Sequence, residues 1–298
     1  MGVPRTALAL GLASAVIAGA CTDLNPRFRP EMDARVPDTI PDASGSRPDR
    51  TVDLAADLNL GGANRDVRND EGALVGYWRF DDGPGSLRVT DASGRGNHGE
   101  VEGLAVATAW VTGKVGFALS FAATNLQAGV RVAATPEIEA MRAFTITAWI
   151  HRTELAWRSP WTVASRQFGA TDVDVFGLHC TPSDLVATLP ISSAGRPTEL
   201  RAPNAVGLGR WIHAAVTYDG ELLTLYADGS ALSSLRAPDR LNAAAPPTPV
   251  YLGTNKNAAI ENHAPFAGML DEMALFSRAL AAAEIKSIFE GASPQALR

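Results

Sequence analysis

Two Asp-Gly pairs constrain one segment of this chain more tightly than any other feature. In Trp211-Ile-His-Ala-Ala-Val-Thr-Tyr-Asp219-Gly220-Glu-Leu-Leu-Thr-Leu-Tyr-Ala-Asp228-Gly229, each pair supplies residues that tolerate positive φ, and together they bracket a strand-length run. That spacing predicts three antiparallel strands in a meander. In the middle strand Leu223 and Leu225 share one face while Leu222, Thr224 and Tyr226 share the other, the period-two pattern of a sheet buried on one side.

Strand signals recur at short intervals through the rest of the region that starts at Ala73. They cover 75–80, 117–121, 130–133, 144–151, 161–165, 175–180, 185–191, 211–218, 222–227, 250–252 and 268–276. The inventory is all-β, and the span 73–292 is long enough for one domain with a continuous core. After the last strand, Ser277 is expected to cap a short helix. Ile285, Ile288 and Phe289 recur at helical spacing there, and Gly291 is placed to end it.

Residues 76–99 read GYWRFDDGPGSLRVTDASGRGNHG, an aromatic strand, an acidic turn, a second short strand and a Gly-rich polar loop. With Phe144-Thr-Ile-Thr-Ala-Trp-Ile150 in mid-domain and Gly268-Met-Leu-Asp-Glu-Met-Ala-Leu-Phe-Ser-Arg-Ala-Leu280 near the end, this stretch resembles a laminin-G-like, concanavalin-A-like jelly-roll domain. The resemblance covers nearly all of residues 74–290 and implies a two-sheet antiparallel sandwich with a short C-terminal helix. It names a binding architecture and no reaction. It also implies a structural calcium ion at the rim, where the acidic turn after the first strand meets the Asp of the last one. The matching residues are Asp81, Asp82 and Asp271, with Glu272 beside them. The competing reading is that Asp81 and Asp82 shape a turn with Gly83-Pro84-Gly85 while Asp271 or Glu272 makes a local hydrogen bond or ion pair. Asp91 or Asn97 could add a ligand, whereas His98 suits calcium badly. The chain departs from the family at 122–129, where the loop before Val130-Arg-Val132 lacks an acidic residue, so no contact that depends on that position carries over.

The N-terminus carries a different signal. Met1 to Ala20 holds Arg5, an apolar run from Ala7 to Ala18 and the small residues Ala18-Gly19-Ala20 before Cys21, which looks like a lipoprotein signal peptide with acyl chains on Cys21. The alternative is an ordinary secretory signal; the run is too short to span a membrane as a helix. Residues 22–72 carry eleven acidic and seven basic residues, five prolines and a single aromatic, Phe28. Such a composition is expected to form a disordered acidic tether over 21–72, reaching roughly 40 Å from end to end. A short tail, 293–298, follows the domain. With Cys21 lipidated, Cys180 has no disulfide partner, and as the strand neighbour of His179 it points to the opposite face. An inert buried thiol is expected. The net charge of −6 and the lack of a basic stripe argue against a nucleic-acid partner.

Glucanases of this fold place carboxylates at alternate positions of one strand. The only comparable run is Asp172-Val-Asp174, with an apolar residue where a third carboxylate should stand. No Gly-x-Ser-x-Gly elbow, zincin helix or phosphate loop is present, so no catalytic residue is assigned. For a sugar or peptide ligand the candidates are Trp157, Arg158 and Trp161 in an Arg-bearing loop, with Asp172 and Asp174 nearby; packing under loops is the plainer role for the tryptophans. Trp149 and His151 alternate with an apolar set in their strand, so one of the two sets should face away from the core. Asn255 and Asn257 read as a turn. The expected protein is an outer-membrane lipoprotein, Thr22 rather than Asp following the lipidated position, that presents a non-catalytic module for a glycan or surface protein. Its membrane contact is through lipid only. A glycoside-acting enzyme of the same fold and a structural spacer are the alternatives.

Overall fold

The computed structural model describes residues 73–122, 124–153, 161–167, 173–191, 197–238, 241, 247–256 and 265–297. Cys21, Trp157, Arg158, Asp172 and Asn257 lie outside the described residues, as do the segments expected to be signal peptide and tether.

Two antiparallel sheets of eight strands each make the sandwich. The chain passes through β1 (Leu74–Trp78), β2 (Arg88–Val89), β3 (Gly99–Glu102), α1 (Val106–Ala109), β4 (Trp110–Thr112), β5 (Phe117–Phe121), β6 (Gly129–Val132), α2 (Pro136–Ala140), β7 (Phe144–Arg152), β8 (Trp161–Gln167), β9 (Asp174–Cys180) and β10 (Leu185–Ile191). It continues through β11 (Pro197–Ala202), β12 (Trp211–Tyr218), β13 (Leu222–Ala227), β14 (Ser230–Arg236), β15 (Val250–Leu252), β16 (Gly268–Phe276), α3 (Ala282–Phe289) and a 3-10 turn (Pro294–Leu297). The first sheet runs β14-β13-β12-β7-β16-β5-β4, with β1 also paired to β16; the second runs β11-β10-β9-β8-β15-β6-β3-β2. No helix among the described residues is long and apolar enough to cross a membrane.

The expected meander is β12, β13 and β14. Asp219 Oδ1 accepts from the amides of Glu221 and Leu222 at 2.8 and 2.7 Å to close the first turn. Asp228 and Gly229 take φ of 47° and 77° in the second, as a two-residue hairpin turn requires. Leu223 and Leu225 enter the main core, whereas Tyr226 joins a second cluster on the outer side of the first sheet. The main core is centred on Phe144, whose ring lies 5.1 Å from Phe176 and 6.0 Å from Tyr218.

The Gly-rich polar loop serves to anchor β1. Asp91 accepts from the amides of Tyr77, Ser93 and Asn97 at 2.8–2.9 Å, so its carboxylate is spent on backbone. Asn97 in turn accepts from the Trp78 indole at 2.8 Å and donates to Val75 O at 2.7 Å.

Several expectations need correction. Ser277 does not cap the helix: its hydroxyl bonds to Ala73 O, and α3 starts after Ala281, whose amide donates to Glu284 Oε2 at 2.7 Å. Gly291, with φ of 106°, ends the helix as expected, donating to Ile288 O at 3.0 Å. Trp161 is not in an exposed loop. It is the first residue of β8, only 1% exposed, with the Arg152 guanidinium 4.6 Å from its ring centre. The three strands absent from the expected set are β3, β4 and β11: β3 and β4 are four and three residues long, and β11 is a polar strand at a sheet end, so none is long or apolar enough for a period to be read. Cys180 is fully buried, and burial pushes its thiol up to about 12, which leaves it protonated and inert.

Candidate functional site

The edge of the first sheet is split where β16 changes partner. Along one side β16 pairs with β7, but on the other side Gly268–Leu270 pair with β5 and Met273–Phe276 with β1. Asp271 and Glu272 fall at the change. A register shift against β7 inserts an extra residue there, and Glu272 takes a left-handed φ of 48°. Leu270 and Met273 therefore both reach the core. The two acidic residues between them are turned toward the gap that the missing partner leaves.

That gap is closed by the turn joining β4 to β5. Asp271 Oδ2 accepts from Val115 N at 2.9 Å and Oδ1 from Glu272 N at 2.8 Å, while Asp81 Oδ1 accepts from Phe117 N at 3.0 Å. Gly113 and Gly116 flank this turn, and a Cβ on either would collide with the carboxylate of Asp271 or Asp81 respectively. Arg79 then links the acids. Its Nη2 lies 2.8 Å from Asp81 Oδ2 and its Nε 3.6 Å from Glu272 Oε1, while the Tyr77 hydroxyl donates to Glu272 Oε2. Asp82 points elsewhere, accepting from Thr90 N at 2.9 Å and from its hydroxyl at 2.5 Å.

Burial pushes the Asp271 carboxyl up to about 7, against the pull of the amides it accepts from. Burial also raises Glu272, opposed by Tyr77 and Arg79. Desolvation and the Glu272 bond raise the Tyr77 hydroxyl, keeping it a donor.

The structure brings Asp81, Asp271 and Glu272 to one turn and leaves Asp82 out. This donor set does not fit calcium, which needs six to eight oxygens with lone pairs to spare. Asp271 is fully buried with each oxygen already accepting from an amide, and a guanidinium bridges Asp81 and Glu272. Among the described residues no group of three or more His, Cys, Asp or Glu is placed to hold a metal ion.

Beside these residues opens a cleft of about 340 Å³, lined by Tyr77, Arg79, Val115, Trp149, Glu272, Ile288 and residues 291–295. Trp149 comes from β7, whose even-numbered residues from Phe144 to Ile150 fill the core and whose odd-numbered ones face the other way. Its ring lies 5.8 Å from Phe289 and 5.4 Å from His213, with Lys114 Nζ 4.2 Å from its centre. Lys114 is exposed and makes no ion pair among the described residues. His213 is buried with neither ring nitrogen hydrogen-bonded, and desolvation lowers it to about 4. The alternation in β7 offers Trp149 as a second-face residue. The roles of Tyr77, Arg79 and Lys114 have no local signal, because the elements that carry them meet only through the split edge.

Asp174 belongs to a different cluster. His179 Nε2 lies 2.9 Å from Asp174 Oδ2 and 3.0 Å from Thr188 Oγ1, and Nδ1 lies 3.1 Å from Thr162 Oγ1. The group sits over Gly177, where a Cβ would collide with all of His179, Thr188 and Asp174. Although Asp, His and Thr are the residue types of a proton relay, Asp174 is 6% exposed, His179 2% and Thr162 1%. Thr188 is partly exposed, but the other three are closed to solvent, and the four, bonded to one another, lock three strands of the second sheet together.

A family model described as Laminin_G_3, the concanavalin A-like lectin/glucanases superfamily, matches residues 124–286. No curated protein matches the chain. Among solved structures, domain 4 of AbnA, a GH43 extracellular arabinanase from Geobacillus stearothermophilus in complex with arabinotriose, is similar at a TM-score of 0.54 and 19% identity, covering 72% of this chain and 97% of that one. The binding domain of Paraclostridial mosquitocidal protein 1 has a TM-score of 0.54 at 18% identity over 73% of this chain and 52% of its own. The botulinum neurotoxin DC binding domain in complex with rat synaptotagmin II has 0.54 at 15% over 76% and 52%. The chain thus spans about half the length of the toxin structures, and at these identities the likeness is one of fold.

Proposed function

We propose that this chain, which belongs to the concanavalin A-like lectin/glucanases superfamily, is a non-catalytic binding module whose ligand occupies the cleft at the split edge of the first sheet. The fold alone hosts both binding and hydrolysis, so the argument rests on the site. The observation that carries it is an open cleft of about 340 Å³ that combines an aromatic ring, Trp149, with a fixed donor and acceptor pair, Arg79 and Glu272. This is the composition of a small-ligand site: apolar surface to hold, few polar groups to orient. A retaining or inverting glycosidase needs two carboxyl groups facing the substrate. Among the described residues Glu272 is the single carboxylate lining this cleft, and Asp271 beside it is 0% exposed and bound to amides, which favours retention without turnover.

The related folds supply the class of partner, a glycan as in the arabinotriose complex or a protein as in the synaptotagmin complex. The apolar run before Cys21 and the acidic composition of 21–72 support display from an outer-membrane lipid anchor on a tether. Arrays of glycans and of surface proteins, probed with the full chain and with Trp149→Ala, test the reading. Retention by the wild type that Trp149→Ala abolishes is expected. New reducing ends released from any polysaccharide would overturn it in favour of an enzyme.

A further inference from the structure

We propose that the cleft recognises a neutral sugar through two adjacent hydroxyls, one donating to the Glu272 carboxylate and the next accepting from the Arg79 guanidinium, with no calcium ion between protein and ligand. The inference rests on the reading of this cleft as the ligand site and narrows it to one chemical class. Arg79 Nε and Glu272 Oε1 are 3.6 Å apart at the cleft wall, and the Arg79 side chain is half exposed while Glu272 is held from behind by Tyr77. A donor fork and an acceptor therefore stand side by side, fixed before any ligand arrives. Neighbouring hydroxyls of a sugar ring each donate and accept, so the two can satisfy this pair together, and the apolar C–H face of the ring can rest against Trp149. Lys114, now 4.2 Å from the indole centre, would give way to that ring.

Charge argues for a neutral ligand. Arg79 is already paired with Asp81 at 2.8 Å and with Glu272, and Asp271 lies directly behind. Lys114 is the one cation near the cleft without an ion pair among the described residues, so a carboxylate-bearing sugar would meet as much repulsion as attraction. The volume, about 340 Å³, lies at the small end of ligand pockets and suits one or two sugar units. Arg79 also explains why no metal is needed: it supplies the positive charge that joins the acidic turn after β1 to β16.

Calorimetric titration of the full chain in detergent, with excess EDTA, provides the test. The probes are methyl glycosides of mannose, galactose, glucose and arabinose, deoxy forms lacking one hydroxyl of the pair, and glucuronic acid. At least one neutral glycoside should bind in EDTA, and its deoxy form should not. Glu272→Gln and Arg79→Gln should each weaken binding roughly 10- to 100-fold, the range of a charge-assisted hydrogen bond. Arg79→Lys, which keeps the charge and loses the fork, should weaken it as well. Asp82→Asn should leave it unchanged, and thermal melting confirms that each variant is folded. Binding that requires calcium, or that Asp82→Asn impairs, overturns the inference. So does preference for glucuronic acid or a protein at a cleft that Trp149→Ala still disables, and in that case the binding-module reading survives. If neither sugar nor protein is retained at all, both readings fall.

Discussion

His213, Trp149 and Asp271 form one cross-strand row on β12, β7 and β16, and the two titratable members respond to acid in opposite senses. Burial lowers His213 from 6.5 to about 4, so the unfolded chain binds its proton first. Stability is then lost as pH falls from about 6.5 to 4, by about 3 kcal/mol at the lower end. Asp271 is raised from 3.8 to about 7, so the folded state takes up its proton first, and this group favours folding more as pH falls through 7. The two effects oppose each other between pH 7 and 4 and should leave the whole protein with a shallow pH dependence there. Replacing His213 by Phe, which can still pack on Trp149 and Phe289, should remove the acid loss. The variant should gain about 3 kcal/mol on the wild type between pH 7 and 4 by urea unfolding. Asp271→Asn should steepen the acid loss in the same experiment. Parallel profiles for all three proteins would mean that this row stays hydrated in the folded state.

Elements whose pattern is local are legible in the amino-acid order, and elements defined by a partner are not. β10, β12, β13, β15 and β16 begin and end where the apolar runs and turn residues place them, because the residues that fill the core recur at every second position between those turns. β14 is a sheet edge exposed on both faces and writes no period of its own; only the Asp228-Gly229 turn ahead of it announces it. Ser277 reads as a cap because Ser accepts at helix starts, yet the carbonyl of Ala73, the residue before β1, claims its hydroxyl. At the site, the family resemblance groups Asp81, Asp82, Asp271 and Glu272 and implies calcium among them; three of the four converge, and Arg79, two residues before Asp81 in the chain, reaches Glu272 only in the fold. Nor can a sequence show the bulge that turns Glu272 toward the cleft and Asp271 onto the turn between β4 and β5, since it exists only where β16 leaves β5 for β1. The turn that closes this gap is testable through its glycines. Gly116 and Gly291 both have positive φ, 60° and 106°, but a Cβ on Gly116 would strike the Asp81 carboxylate, whereas nothing lies within 4 Å of one on Gly291. Ala at 291 should cost about 1 kcal/mol, the backbone strain alone. Ala at 116 should cost about 2–3 kcal/mol, from strain plus a displaced ion pair. Equal losses on urea unfolding would show that the turn yields without disturbing Asp81.

Across the whole molecule the domain is closed by its own ends, since β1 pairs with β16 nearly two hundred residues later in the chain. Bringing so distant a pair together costs about 3 kcal/mol more chain entropy than closing a meander turn such as the one between β12 and β13. Local hairpins therefore have the advantage early in folding, and β1 should dock late, after the sheet that receives it exists. Val75 and Leu225 separate these events: both are fully buried in the main core, one on β1 and one on β13. Truncating Val75 to Ala should cost about 2 kcal/mol. Because contacts made after the transition state act on the return path, that loss should appear as an unfolding rate raised roughly 30-fold with folding nearly unchanged. Leu225→Ala should instead slow folding. Stopped-flow tryptophan fluorescence over a denaturant series measures both limbs. A folding limb slowed as much by Val75→Ala as by Leu225→Ala would place the joining of the two ends in the nucleus itself. The split edge, with its bulge and its cleft, would then form at the start of folding rather than as the last feature to be sealed.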